Sequence, residues 1–329
     1  MSKTLIALTF AALLTTTQTW AADASGQEER SNSKNTYESK AVKVPGTKVF
    51  LSPPPGFAPA ERFGGFIKKE DVATIVVTEI PGAYSQVTNF TKNDLAGKGI
   101  NITSSSTFNN GKREASLLEF TQMAAGKKFK KVACFFGDEA STTIVTGSMP
   151  ESGPAAVFDQ MRQAVKSARF DPHARLTSLE EGLPFTIADT KKLKKATRLQ
   201  NTLLFTTTGK VEAGKDNGPL FIVGQSVSEG AIENHEAFAR ERLERTKQVK
   251  NILIDKQRSI KQAGLDGEEF LASGVDAEDG APTYIFHTML FDKDGYFIFQ
   301  GLCPASERSV FEPEYQKLVQ NFQLRPNGR

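Results

Sequence analysis

The sequence predicts an α+β fold built twice, as two tandem domains that are each an antiparallel β-sheet flanked by helices in an αβα sandwich. Three observations carry this expectation. Branched and aromatic residues come in short runs separated by glycine-containing turns, as at residues 72–80, 129–136 and 142–147. A stripe at helical spacing closes each half: Val157, Met161, Ala164, Val165 and Ala168, then Phe311, Tyr315, Leu318, Val319 and Phe322. Residues 140–170 also lie on 294–324 without a gap, with Ile144 on Ile298, Gly147 on Gly301, Pro150 on Pro304, Ser152 on Ser306 and Val165 on Val319.

The elements follow in order. Residues 1–21 predict a cleaved secretory signal, because Lys3 precedes an apolar run over 5–14 and small residues lead to a cut after Ala21. That run is far shorter than the roughly 20 residues of a spanning helix, and no cysteine follows it to take a lipid. A short buried helix of the fold is the competing expectation. The mature chain is therefore expected to be periplasmic or secreted, and not membrane-spanning. Residues 22–44 are polar and predict a flexible lead-in. Domain 1 is expected over 45–172, a linker over 173–181 where Pro172, Glu180, Glu181 and Gly182 break the pattern, and domain 2 over 182–326.

Each half opens on a short strand, at 49–51 and 185–187, and continues into a β-run, at 72–80 and 220–227. A helix is expected next, over 87–96 and 234–247, the second with Asn234 as N-cap. Gly82-Ala83-Tyr84 falls on Gly230-Ala231-Ile232 just before these helices. Three strands follow, at 114–120, 129–136 and 142–147, with counterparts at 268–274, 284–291 and 296–301. Gly126, Gly137, Gly280 and Gly295 supply the turns. Ser309 and Glu312 have capping-box spacing for the last helix.

This order resembles the PsbP-like fold, which includes the bacterial DcrB group. Pro54-Pro55-Gly56-Phe57 looks like that family's opening, with Gly182-Leu183-Pro184-Phe185 in its place in the second half. The segments IVTGSMPES and FIFQGLCPAS, each leading into a final helix, look like its C-terminal half. The resemblance covers most of residues 45–326 in two copies. It implies an exported, non-catalytic protein that binds or stabilises membrane-associated complexes, with no catalytic residue to carry over.

Composition and motifs narrow the chemistry. At 39% hydrophobic and 24% charged residues the chain is that of a folded protein, and 24 Phe against one Trp and five Tyr favour aromatic cores. Losing Lys3 takes the net charge from +3 to +2, too close to neutral for a dedicated nucleic-acid binder. His173, His235 and His287 stand apart, without a nucleophile elbow or metal-ligand spacing, so neither a catalytic residue nor a metal site is expected. No phosphate-cradling loop is present and no cofactor is expected. Asp292-Lys-Asp294-Gly295 and Asp276 to Gly280 begin like calcium loops but read better as hairpin turns. Lys127, Lys128, Lys130 and Lys131, then Lys191, Lys192, Lys194, Lys195 and Arg198, form basic runs that suit a solvated surface or an anionic partner. Cys134 and Cys303 lie in apolar runs; two buried thiols are favoured over a disulfide.

The leading expectation is a non-enzymatic binding or assembly protein of the cell envelope, engaging a protein or a membrane-associated complex. A carrier of a small apolar ligand, held between the halves or under a helix, is the alternative. A hydrolase would need a site that the sequence does not display.

Overall fold

Runs of branched and aromatic residues become strands here because helices cover both faces of each sheet. The computed structural model describes residues 40–88, 99–111, 113–124, 126–211, 218–227 and 230–325. The expected signal, most of the lead-in and residues 89–96 of the first expected helix lie outside them.

The first half contains β1 (Val42–Lys43), β2 (Val49–Leu51), β3 (Ala58–Pro59), β4 (Gly65–Lys68), β5 (Ala73–Pro81), α1 (Tyr84–Thr88), β6 (Ile100–Asn110), β7 (Arg113–Ala124), β8 (Lys127–Gly137), β9 (Ser141–Pro150), α2 (Ala155–Ser167) and β10 (Arg169–Phe170). The second contains β11 (Phe185–Ile187), β12 (Lys194–Leu199), β13 (Thr202–Thr206), β14 (Leu220–Gln225), α3 (His235–Glu244), β15 (Val249–Gln262), β16 (Leu265–Asp276), β17 (Pro282–Asp292), β18 (Gly295–Pro304), α4 (Arg308–Asn321) and β19 (Phe322–Leu324). Two seven-stranded sheets result, ordered β3-β4-β5-β9-β8-β7-β6 and β12-β13-β14-β18-β17-β16-β15. Small sheets, β1-β2-β10 and β11-β19, close the two halves.

The duplication is visible residue by residue. Ile75 pairs with Gly147 in the first sheet and Phe221 with Gly301 in the second, while Val132 meets Gly147 as Phe286 meets Gly301. Gly82 N donates to Ala140 O and Gly230 N to Asp294 O, at 3.0 and 3.1 Å. One irregularity matches as well. The register slips between Ile102 and Ser104 in β6 and between Ile254 and Lys256 in β15.

Four hydrophobic clusters lie under the helices, and none draws residues from both halves. In the first half Val77, Val132 and Val145 meet Met161 and Val165 of α2 on one face, while Phe135 and Ile144 meet Val87 of α1 on the other. In the second, Phe221, Phe286 and Phe299 meet Tyr315 and Leu318 of α4, while Phe270, Ile285 and Met289 meet Ala239 and Leu243 of α3. Cys134 and Cys303 are free and buried in separate clusters; burial raises their pKa values to about 12 and about 11.

Several expectations need correction. Val42–Lys43 pair with β2 and Val44 is fully buried, so order begins before Pro45. The counterpart of residues 114–120 is shifted by two residues from 268–274, because the turn after β16 is longer: Asp276 N meets Ala281 O, where Ala124 pairs with Lys127. Ser309 caps nothing, since a 3-10 turn at Ala305–Glu307 starts the helix earlier and Glu312 binds Arg308 at 2.9 Å. Asn234, in contrast, does cap α3, accepting from Ala237 N at 2.9 Å. The strands β3, β4, β6, β12, β13 and β15 had no counterpart in the sequence pattern.

One contact locks α4 to its sheet. A Cβ on Gly301 would stand 2.6 Å from the Tyr315 ring, which lies flat over the strand and sends its hydroxyl to Leu302 O at 2.8 Å. Gly301→Ala must push that ring aside, so urea denaturation should show a loss of about 1–3 kcal/mol. In a Tyr315→Leu background the same change should be nearly free. An equal loss in both backgrounds would show that Tyr315 is not the obstacle.

Candidate binding site at the junction of the two halves

The residues singled out by type are drawn into structure. His173 is exposed in the segment after β10. His235 stacks on Phe291 with ring centroids 3.9 Å apart and planes 3° from parallel. His287 is fully buried on β17, with Gln300 Nε2 3.4 Å from its Nδ1 and Gln300 bound in turn to Thr246 at 2.8 Å. Burial, followed by the nearby Arg242 charge, drops its pKa to about 3. The three histidines do not converge.

The acidic stretches are turns. Asp292 Oδ1 accepts from Asp294 N, and Asp276 Oδ1 from Glu278 N, both at 2.8 Å. Among the described residues no group of His, Cys, Asp and Glu is placed to hold a metal. The basic runs are divided. Lys128 pairs with Glu151, Lys130 binds Gly153 O, and Lys131 turns inward to Gln122 at 3.0 Å, where burial lowers its pKa to about 8. Lys194 binds Thr190 O, and Lys195 pairs with Asp189 and Glu180.

What the fold does bring together is a polar junction. Arg62, in the loop between β3 and β4, reaches the second half: its guanidinium donates to Ser226 Oγ at 3.1 Å and faces Asp292 at 3.4 Å, and its side chain is 10% exposed. Asn201 Nδ2 returns a bond to Arg62 O at 3.2 Å, and Gln200 Nε2 binds Thr78 Oγ1 at 2.9 Å.

Arg198, at the end of β12, fills the middle. It donates to the carbonyls of Glu181, Leu179 and Gln200. Gly46, at φ +71, makes room, because any Cβ there would strike the guanidinium. Burial draws the Arg198 pKa down to about 10, against the pull of Glu181 and Glu79. Glu79 on β5 is raised by burial, opposed by Lys48 N, Arg198 and Lys43. Glu181 is held at about 2: burial works against its charge, but Lys43 at 2.8 Å and the Thr177 amide and hydroxyl prevail. The connecting segment is thus fastened to both halves.

Beside this junction lies a cavity of about 260 Å³, walled by Pro59, Glu61, Arg62, Phe63 and Lys69 of the first half and Val227 of the second. Its mixed lining suits polar and charged groups. A second cavity of about 190 Å³, near Val249, Asp276 and Cys303, belongs to the second half alone. No local signal marked Arg62, Glu79 or Gln200 in the sequence, and Arg198 was only one member of a basic run.

Two measurements follow. His287 is neutral when folded but takes a proton below about pH 6.5 when unfolded, so its contribution to stability is intact at neutral pH and is lost as pH falls from 6.5 towards 3. The loss should approach about 1.4 kcal/mol per pH unit, and His287→Leu should flatten the profile by that amount; parallel profiles would refute the buried neutral imidazole. Replacing Arg198 by Leu together with Arg62→Ala should split one calorimetric transition into two, because each half keeps its own core. An unsplit, unshifted transition would mean that the junction does not couple the halves.

No family model matches the chain, and no curated protein does. Among solved structures it is similar to a protein of unknown function from Pseudomonas aeruginosa, at 13% identity over 49% of this chain and 94% of that one, TM-score 0.30. It is also similar to LpqN of Mycobacterium tuberculosis, described as involved in cell envelope biogenesis, at 8% identity over 43% and 83%, TM-score 0.32. A third is the T6SS immunity protein TplEi of Pseudomonas aeruginosa in complex with a peptide, at 10% identity over 87% and 98%, TM-score 0.31. Scores of this size do not establish a shared fold.

Proposed function

We propose that this chain is an exported, non-enzymatic binding or assembly protein of the cell envelope. In this proposal residues 1–21 are cleaved as a signal, and two PsbP-like domains, 45–172 and 182–326, are joined by the linker 173–181. The partner is a protein or a membrane-associated complex, not nucleic acid.

The observation that carries this reading is the junction itself. Two self-contained sheets are joined by Arg62 on Ser226 and Gln200 on Thr78, and the linker between them is held by Arg198 on one side and Lys43 on the other, beside a cleft with mixed-charge walls at the surface. Such a frame suits recognition of another polar surface. Of the residues singled out by type, His287 and both thiols are sealed in cores and His235 is stacked, while His173 is exposed in the segment after β10. No helix among the described residues is long and apolar enough to cross a membrane.

A carrier of an apolar ligand would need aromatic side chains lining a cavity. Phe185, Phe205, Phe221, Phe270, Phe286 and Phe299 pack within the second half's own cores, completely shielded from solvent, and line neither cavity. Those rings do not speak for a carrier.

Mass spectrometry of protein from the extracytoplasmic fraction should give an N-terminus at Ala22. Cross-linking in intact envelopes followed by capture should recover a partner in fixed stoichiometry, and Glu61→Lys with Lys69→Glu at the cleft should weaken its recovery at least tenfold. Recovery of an uncut chain in the cytoplasm, or a partner indifferent to the cleft, would overturn the proposal.

A further inference from the structure

The two large sheets end on topologically equivalent edge strands, β6 and β15, of 11 and 14 residues. An open edge offers unpaired amides and carbonyls to any other strand, and folded proteins commonly blunt it with charge or bulges. The second edge is blunted in both ways. β15 carries Lys250, Lys256, Arg258 and Lys261 and slips register twice. The first is not. β6 reads Ile-Asn-Ile-Thr-Ser-Ser-Ser-Thr-Phe-Asn-Asn without one charge, and its single slip lies before Ser104. Thr103, Ser104, Ser105, Ser106 and Thr107 are all exposed, and among the described residues only β7 pairs with this strand.

We infer that β6 pairs antiparallel with β6 of a second copy of this chain. The occupant is argued from the strand's own chemistry. The run Thr103-Ser-Ser-Ser-Thr107 reads the same in both directions. A two-fold axis at Ser105 therefore sets Ser104 against the partner's Ser106 and Ser105 against its own copy. Hydroxyls face hydroxyls and no charge meets its like, which is what an isologous contact demands. The register slip bends only the end of this stretch. The same operation on β15 would bring two rows of cations together. Self-pairing would join the first sheets of two molecules edge to edge and leave the second halves outermost. The inference concerns self-association and stands whichever partner the cleft engages.

Sedimentation velocity of the mature chain across the micromolar range tests it. The expected result is a reversible, concentration-dependent dimer that Ser105→Lys abolishes while leaving the melting temperature unchanged. A native monomer throughout, or a dimer that Ser105→Lys leaves intact, would overturn it. Because the native thiols are buried, Ser105→Cys offers a second measurement that does not depend on the lysine variant folding. It should oxidise to a disulfide-linked dimer many times faster than Ser259→Cys on β15, and equal rates would overturn the inference.

Discussion

The polar junction around the buried Arg198 guanidinium is the constraint on which the relation of the two halves depends: Arg198 holds the connecting segment to the second half, and Lys43 holds it to the first through Glu181. Each sheet has helices on both faces and needs nothing from the other to fill its core. Among the described residues no hydrophobic cluster is shared by the two halves, and directional polar bonds join them. Such bonds contribute little when solvated and more when a charge is sheltered. Arg198 meets that condition: it is drawn down by burial yet remains protonated at neutral pH, and Glu79 and Glu181 sit close enough to favour its charge. Arg62 repeats the device a short way along the junction, against Asp292.

The receiving side of that contact has a counterpart in the first half. Asp138 and Asp292 occupy equivalent turns, and each accepts backbone amides within its own turn. In the second half the same aspartate also faces Arg62. Asp292 thus closes its own hairpin and takes part in the junction at once. Similar divergence runs through equivalent positions of the cores. Met161 over Gly147 becomes Tyr315 over Gly301, and the glycine is what lets the larger ring lie flat. Lys131 becomes Ile285, and Ala133 becomes His287, so each half holds one buried titratable group where the other is apolar.

Much of this fold was legible in the sequence because its strands alternate or run apolar where a helix covers them. The closing helices were readable from their stripes, and every residue of both stripes is buried. The edge strands were not. β6 is a string of exposed Ser and Thr, and β15 alternates charge with isolated apolar residues, so neither presents a face for burial to select. β12 was hidden by its lysines. The counterpart of residues 114–120 was expected two residues too far along because an insertion in a turn leaves hydrophobic alternation intact when it is even-numbered. The junction was illegible for another reason. Arg62 and Asp292 are far apart in the chain, and no periodicity records a polar contact between segments that fold separately.

The differences between the halves also bear on what the molecule presents to others. A duplicated fold begins with two equivalent edges and two equivalent turns, and any recognition that distinguishes them must come from later divergence. The second half is the guarded one: its edge strand carries cations, its turn is occupied by Arg62, and its interior is filled with aromatic rings, such as Phe221 stacked on Tyr315 at 5.5 Å. The first half kept an uncharged edge and contributes most of the cleft wall. Rigidity and exposure are thereby divided between the copies. A strand can be left open at one end of such a frame because the core behind it does not depend on that strand's outer face, while the fastened junction keeps the open edge at a defined distance from the cleft.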